Sequence, residues 1–160
     1  MPKSFLFTLA CLLFLSWGCN ENTPANTQAP AAGTTTGTEA GIDEESTRVV
    51  LERHWQTFGQ NDMEGVMADY TEESVLITPD ATYRGLAEIR RNFENAFAAF
   101  PRDQTTFHLD KSVTDRDVAY ILWRADTPAF RLTYAPDTFL IRGGKIIRQT
   151  YAGVAEPVGQ

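Results

Sequence analysis

Cysteine is almost absent from this 160-residue chain, which contains only Cys11 and Cys19. Because no cysteine follows residue 19, a domain in the rest of the chain has no disulfide and must be stabilised by its core alone. Histidine is equally scarce, with two well-separated residues and no HExxH pattern. We therefore expect no metal site.

Basic clusters and nucleotide-binding motifs are also missing. The formal net charge is −7, and no stretch is rich in Lys or Arg. This argues against nucleic acid as a partner, because nucleic acid binding demands a basic face. There is no phosphate loop and no glycine-rich dinucleotide fingerprint, so we expect no cofactor. The pair Gly143-Gly144 predicts a tight hairpin instead.

One short apolar run stands at the N-terminus, directly after Lys3. It is too short to span a membrane and is typical of a secretory signal. The run ends at Leu15-Ser16-Trp17-Gly18, immediately before Cys19. This order resembles a bacterial lipoprotein signal, although Ser16 stands where such signals usually have leucine. The alternative is an ordinary signal peptide with a chance cysteine.

The resemblance to lipoproteins implies cleavage after residue 18, a lipid on Cys19 and an exported protein anchored to the cell envelope. In a Gram-negative host the anchor would lie in the outer membrane. Residues 20–41 lack large apolar residues, Lys and Arg, which predicts a disordered linker. We thus expect a signal peptide at 1–18, an acylated Cys19 with its linker up to 41, a folded domain at 42–153 and a tail at 154–160.

Helical periodicity dominates the first half of the domain. The spacing of Val50, Leu51, Trp55 and Phe58 predicts a helix from Ile42 to Phe58. Further helices are predicted from a cap at Asn61, with Glu64 completing a capping box, to about Tyr70, and from Gly85 to Phe100 before Pro101. Short strands are predicted at Ser74–Thr78 and up to Arg84.

After Pro101 the apolar residues alternate, which is typical of strands. One face of the first strand is predicted to carry Phe107, Leu109 and Val113. An antiparallel meander of four strands is predicted at 105–113, 118–125, 130–142 and 145–151. Three N-terminal helices and a mostly antiparallel sheet indicate an α+β fold, in which helices cover one side of a curved sheet.

Several segments together carry a resemblance to a known family. They are Gln60–Val66, Gly85–Arg90, Val118–Tyr120 with Trp123, Asp137–Phe139, and Gly143–Ile146. In this order and spacing the chain resembles the NTF2-like superfamily, specifically its SnoaL-like branch, which includes ketosteroid isomerases. The resemblance covers residues 42–153. It implies a cystatin-like cone with a pocket between helices and curved sheet, often in a homodimer.

Two ionisable residues are placed toward this pocket by the sequence pattern. His54 shares a helical stripe with Val50, Leu51 and Phe58. Asp137 alternates with Phe139 and Ile141 on one strand face. Asp137 is then either a neutral acid that donates a hydrogen bond or the partner of a base such as His54 or an Arg. A purely structural role in the core remains the alternative for both residues.

Alignment with ketosteroid isomerase implies roles that only partly carry over. Asp137 matches that enzyme's neutral, hydrogen-bond-donating Asp, and His54 falls at its oxyanion-hole Tyr. Thr78 stands where the proton-shuttling Asp is required. Because a Thr hydroxyl is no general base near neutral pH, steroid isomerisation by that mechanism is not expected. The hypothesis is that His54 acts as a base oriented by Asp137, as in some SnoaL-like cyclases.

Two classes of function follow from these observations. The first is a pocket that binds a small apolar molecule, with or without transforming it. The second is a non-catalytic module that dimerises or binds a partner through an outer sheet face bearing Leu132, Tyr134, Thr138 and Leu140. Further polar candidates are Tyr83, Arg84, Arg124 and Gln149. The residues expected to line the pocket are Trp55, Phe58, Tyr70, Thr78, Phe97, Trp123 and Phe139.

Overall fold

The computed structural model describes residues 42–159, and the predictions for residues 1–41, including Cys19, lie outside this range. The α+β class is confirmed, with three α-helices beside a seven-stranded sheet. In chain order the elements are α1 (Glu44–Gly59), α2 (Met63–Met67), β1 (Val75–Ile77), β2 (Thr82–Arg84), α3 (Gly85–Ala99), β3 (Thr106–Asp115), β4 (Val118–Asp126), β5 (Phe130–Arg142), β6 (Lys145–Tyr151) and β7 (Val154–Pro157).

The predicted meander β3–β6 forms four consecutive strands of the sheet, with β3 at one edge. The strand order is β2-β1-β6-β5-β4-β3, and β1 lies parallel to β6 while the other pairs are antiparallel. The β5–β6 hairpin turns at Gly143 and Gly144, whose φ angles of 56° and 72° favour glycine. The meander thus provides most of the sheet surface against which the helices pack.

The residues predicted as a C-terminal tail instead form β7, which pairs with the first half of β5. The reason lies in the length of β5. Strand β6 pairs only with residues 137–142 of this 13-residue strand, so the segment from Phe130 to Tyr134 needs another partner on that side. Strand β7 supplies it, with Leu132 opposite Ala155.

Two bulges change which face some side chains occupy. In β5 the pairing shifts by one residue between Leu132 and Ala135, so Leu132 points into the core and is 3% exposed. Its predicted place on the outer face was wrong. In β3 a bulge at Asp110 puts Val113 opposite Tyr120, away from the buried face that Phe107 shares with Ala125. Bulges of this kind bend a sheet.

The start of α2 differs by one residue from the prediction. Asp62, not Asn61, is the N-cap, and its Oδ1 accepts a hydrogen bond from the backbone N–H of Gly65 at 3.0 Å. Asn61 adopts a φ of 52°, a conformation that Asn tolerates well. Its side-chain amide donates to the carbonyl of Phe100 at 3.1 Å, which ties α2 to the end of α3.

All three helices pack on one face of the sheet and bury a common core. The best-buried members include Val66, Leu76, Ile89, Ala135, Phe139 and Ile146. Within residues 42–159, no helix combines the length and the apolar character needed to cross a bilayer.

Candidate functional site

A cavity of about 580 Å³ lies between the helices and the sheet. This volume falls in the range of small-molecule sites. Phe, Tyr and Trp form the largest group in its lining, which comes mainly from α1, α3, the turn after β1 and the inner face of the sheet. The bordering residues include His54, Trp55 and Phe58 of α1, Phe93, Ala96 and Phe100 of α3, and Ile121, Trp123, Asp137, Phe139 and Gln149 of β4–β6.

Seven of the nine residues that were predicted for the pocket border the cavity. They are His54, Trp55, Phe58, Thr78, Trp123, Asp137 and Phe139. Tyr70 and Phe97 do not border it. Tyr70 is buried behind His54, with its ring edge-on to the imidazole at 5.6 Å between centroids. Phe97 packs against the rings of Phe58 and Phe93, at centroid distances of 5.8 Å and 6.0 Å.

Aromatic rings fix the position of Trp123 in the wall of the cavity. Its ring centroid lies 5.7 Å from Trp55, 5.8 Å from Phe58 and 5.7 Å from Phe100, in edge-to-face arrangements. Such contacts are favourable beyond the area that they bury. They hold the indole in the orientation that directs its N–H to Asp137.

Asp137 carries a buried carboxyl group, 4% exposed, which accepts hydrogen bonds from two neighbouring side chains. Its Oδ2 accepts from Trp123 Nε1 at 2.7 Å, and its Oδ1 accepts from Gln149 Nε2 at 2.8 Å. Burial raises the pKa of Asp137 to about 6, while the two hydrogen bonds and the nearby His54 pull it in the opposite direction. Asp137 is therefore mostly ionised above pH 7 and mostly neutral below pH 5.

His54, equally buried, is oriented by Asp69 rather than by Asp137. Its Nδ1 lies 3.1 Å from Asp69 Oδ2. Asp69 is fully buried, and its Oδ1 accepts from Arg53 Nε at 2.8 Å. The hypothesis of a direct His54–Asp137 pair is thus corrected. Sequence reasoning missed Asp69, since nothing in the local pattern shows that this residue, two positions after the end of α2, meets α1.

Tyr70 and Gln149 connect the two ionisable groups. The Tyr70 hydroxyl donates to Gln149 Oε1 and lies 3.5 Å from His54 Nε2. Burial, together with the carboxylates of Asp137 and Asp69, raises the pKa of Tyr70 well above its usual value, so this hydroxyl keeps its hydrogen. A series of polar side chains from Asp69 to Asp137 thus runs along the wall of the cavity, with His54 and Tyr70 in contact at 3.5 Å in its middle.

The remaining polar candidates are divided between the cavity and the surface. The Thr78 hydroxyl borders the cavity but bonds to the backbone of Ala81, from whose N–H it accepts at 3.2 Å. Tyr83 and Gln149 also border the cavity. Arg124 lies on the surface, where it pairs with Asp110, and Arg84 does not border the cavity.

Comparison with known proteins identifies the family. A family profile described as a SnoaL-like domain matches residues 51–149, which is more than half of the chain. The chain belongs to the SnoaL-like domain family. Among curated proteins, no match is found. The matched range contains His54, Asp69, Tyr70, Asp137 and Gln149, and so includes the whole series of polar side chains along the cavity wall of the SnoaL-like domain.

Solved structures support the NTF2-like, cystatin-like fold of this SnoaL-like domain. A candidate ketosteroid isomerase from Kribbella flavida has a TM-score of 0.60 at 19% identity, over 74% of this chain and 87% of its own. A candidate polyketide cyclase from Sinorhizobium meliloti has a TM-score of 0.57 at 18% identity, over 64% and 93%. A protein with a cystatin-like fold from Nostoc punctiforme has a TM-score of 0.55 at 17% identity, over 70% and 91%. At these identities the likeness shows the fold.

Within residues 42–159, no group of three or more His, Cys, Asp or Glu side chains is arranged to hold a metal ion.

Proposed function

We propose that this SnoaL-like domain binds a small, largely apolar molecule in the cavity between helices and sheet, with His54 and Asp137 acting on its polar part. One observation carries the proposal: an aromatic-lined cavity of about 580 Å³ is bordered by two buried ionisable groups. Ionisable groups are rarely buried unless paired, and those that border a concave apolar cavity are candidates for binding or catalysis.

The arrangement supports proton transfer to or from the bound molecule. Asp69 accepts from His54 Nδ1, which leaves Nε2 as the basic atom of a neutral imidazole. A carboxylate behind a histidine is the arrangement that orients a general base. Asp137, with a pKa of about 6, exchanges its proton near neutral pH. We do not propose the mechanism of ketosteroid isomerase. Thr78 stands where that enzyme has its catalytic base, and its hydroxyl donates a hydrogen bond to the carbonyl oxygen of Ala81.

A dye-binding experiment tests the cavity itself. Ala96 borders the cavity on α3, whereas Ala98 on the same helix is exposed and does not border it. We expect Nile red, a neutral apolar dye, to bind the unmodified protein and the Ala98→Trp variant with similar affinity. In Ala96→Trp the indole fills part of the cavity, and binding should weaken about tenfold or more. Equal binding by both variants would place the dye elsewhere and argue against the proposal.

We further propose that the protein is exported and anchored to the cell envelope through a lipid on Cys19. The apolar run, Cys19 directly after Gly18, and the polar stretch at 20–41 support this. Radiolabelled palmitate should label the unmodified chain and not Cys19→Ser. The unmodified chain should appear in the membrane fraction, and the variant should be released. An unlabelled, freely soluble unmodified chain would contradict the anchor.

The sheet face that points away from the helices favours a homodimer. It thereby also favours the second candidate function, that of an interaction module. Tyr134 is 50% exposed there, beside Tyr120, and Val113 and Val118 are also exposed. Exposed apolar residues on one face are typical of an interface. A dimer formed by this face leaves the cavity on the opposite side of the sheet, so both functions are compatible.

A further inference from the structure

The direction of the Gln149 amide follows from the charge of Asp137. An ionised carboxylate can only accept hydrogen bonds, so Gln149 presents its NH2 group to Asp137 Oδ1, at 2.8 Å. Its carbonyl oxygen then faces Tyr70. Since this oxygen can only accept, the single hydrogen of the Tyr70 hydroxyl is used in the bond to Gln149.

His54 Nε2 is consequently left without a donor. Tyr70 has no second hydrogen to offer, and its oxygen stays 3.5 Å away from Nε2. On the other side of the ring, Asp69 accepts from Arg53 and faces Nδ1, which places the hydrogen of a neutral imidazole on Nδ1. In the neutral imidazole, the Nε2 lone pair of this residue, which is 4% exposed and borders the cavity, therefore receives no hydrogen from the Tyr70 hydroxyl.

Asp137 adds further acceptor capacity at the same place. Each of its oxygens receives one hydrogen bond from the protein, and each can accept another. Gln149 keeps one amide hydrogen beyond the one that it gives to Asp137. We call the group formed by His54, Asp137 and Gln149 the polar end of the cavity. It offers several free acceptor positions and one free donor.

The charge of the lining also restricts the ligand. Asp137 and the exposed Asp80 border the cavity, but no Lys or Arg does so among residues 42–159. An anionic head group would meet carboxylates without a Lys or Arg side chain to offset them. The other side-chain donors that border the cavity are only partly buried or are exposed, so water competes for them: Trp55, Thr78, Tyr83, Asn92, Asn95 and Tyr151.

We propose that the pocket selects an apolar molecule that carries a hydroxyl group, whose hydrogen is donated to the polar end and whose oxygen accepts from Gln149. This inference rests on the proposed function of the cavity. A hydroxyl both donates and accepts, which matches the polar end better than a carbonyl, an ether or a carboxylate. A buried acceptor left unpaired is costly, and this cost is the basis of the selection.

Three pyrene derivatives of similar shape test the inference at pH 8, where Asp137 is ionised. They are 1-pyrenemethanol, its methyl ether, in which a methyl group replaces the donor hydrogen, and 1-pyrenecarboxylate. Fluorescence titrations use the chain from residue 20 onward, which contains every described element. We expect the alcohol to bind about tenfold or more tightly than the ether, since a net hydrogen bond contributes about this factor. The carboxylate should bind most weakly.

The results separate this inference from the function on which it rests. Equal affinity for alcohol and ether, or tightest binding of the ether or carboxylate, would overturn the selection for hydroxyl while leaving a binding pocket. If none of the three binds, and a naphthalene series of the same three head groups also fails, the proposed pocket function itself is overturned.

A substitution assigns the selectivity to His54. His54→Phe keeps an aromatic ring among Tyr70, Phe93 and Phe139 but removes Nε2. In this variant the ratio of the affinity for 1-pyrenemethanol to the affinity for its methyl ether should fall toward one, mainly because the alcohol binds more weakly. His108→Phe, at the chain's other histidine, which lies outside the cavity, should retain the full ratio. Because the unmodified protein already discriminates between the hypotheses, a poorly folded His54 variant does not prevent the test.

Discussion

Asp137 shows how a single buried carboxyl group opposes the stability of the fold that contains it. Its pKa of about 6 in the folded protein lies above the ordinary value of 3.8, chiefly because of burial. The folded state therefore holds this proton more tightly than the unfolded chain does. The resulting stabilisation is present below about pH 4 and is lost as the pH rises through about 6.

The Asp137→Asn variant makes this effect measurable. A pKa difference of about two units corresponds to roughly 3 kcal/mol. Between pH 4 and pH 7 the free energy of unfolding of the unmodified protein should fall by about that much relative to that of Asp137→Asn. The reason is that the amide at position 137 of the variant does not titrate. Urea unfolding at several pH values gives both curves. If the two curves stay parallel across this range, the carboxyl group is not perturbed as described.

Some of these residues could be assigned from the sequence, and others could not. Helical spacing placed His54 toward the core, and strand alternation did the same for Asp137. The hydrogen bonds that connect these residues could not be predicted in this way. Tyr70 and Gln149, for example, are 79 residues apart and meet only in the tertiary structure. The role of Asp69 was hidden for the same reason, and this is why His54 was paired with the wrong carboxylate.

Strand β7 is the element that departs most from expectation. The segment contains Pro157 and lies between Gly153 and Gly159, so its sequence alone gives little tendency to form a strand. It forms a strand because β5 extends beyond β6 and leaves backbone groups to be paired. The bulges in β3 and β5 have a similar origin in pairing between strands, and they decided the faces of Val113 and Leu132.

Truncation tests the contribution of β7. A chain ending at Gly153 loses the partner of Leu132, and with it several backbone hydrogen bonds and apolar cover. We expect its free energy of unfolding to fall by about 2–3 kcal/mol. A chain ending at Pro157 keeps the strand and should stay within about 0.5 kcal/mol of the unmodified protein. Equal stability of the two truncated chains would show that the β5–β7 pairing adds nothing.

At the scale of the whole molecule, the family resemblance predicted the fold correctly. The order of helices and strands, the helices on one sheet face and the cavity between them are all present. The parts that stay predictions are those that depend on other molecules, namely the lipid anchor, the dimer and the ligand. A sequence pattern gives the layout of a pocket more readily than its occupant, which depends on a few hydrogen-bond directions.

The proposed dimer can be tested with two exposed residues on different surfaces. Tyr134 lies on the outer sheet face, and Val49 is exposed on α1 at 46%. Light scattering after size exclusion should give a dimer for the unmodified protein at micromolar concentration. Tyr134→Lys should shift it toward monomer, because a charge in a dimer interface is costly to bury. Val49→Lys should remain a dimer; a monomeric unmodified protein would contradict the interface.

The central claim is that the cavity holds a small apolar molecule, and native mass spectrometry of gently purified protein tests it most directly. Unmodified protein and Ala98→Trp should each carry a copurified small molecule that Ala96→Trp lacks. Release and fragmentation of that molecule would also show whether it bears a hydroxyl group. Ligand-free unmodified protein, or a molecule retained equally by Ala96→Trp, would contradict a binding role for the cavity and favour the interaction module.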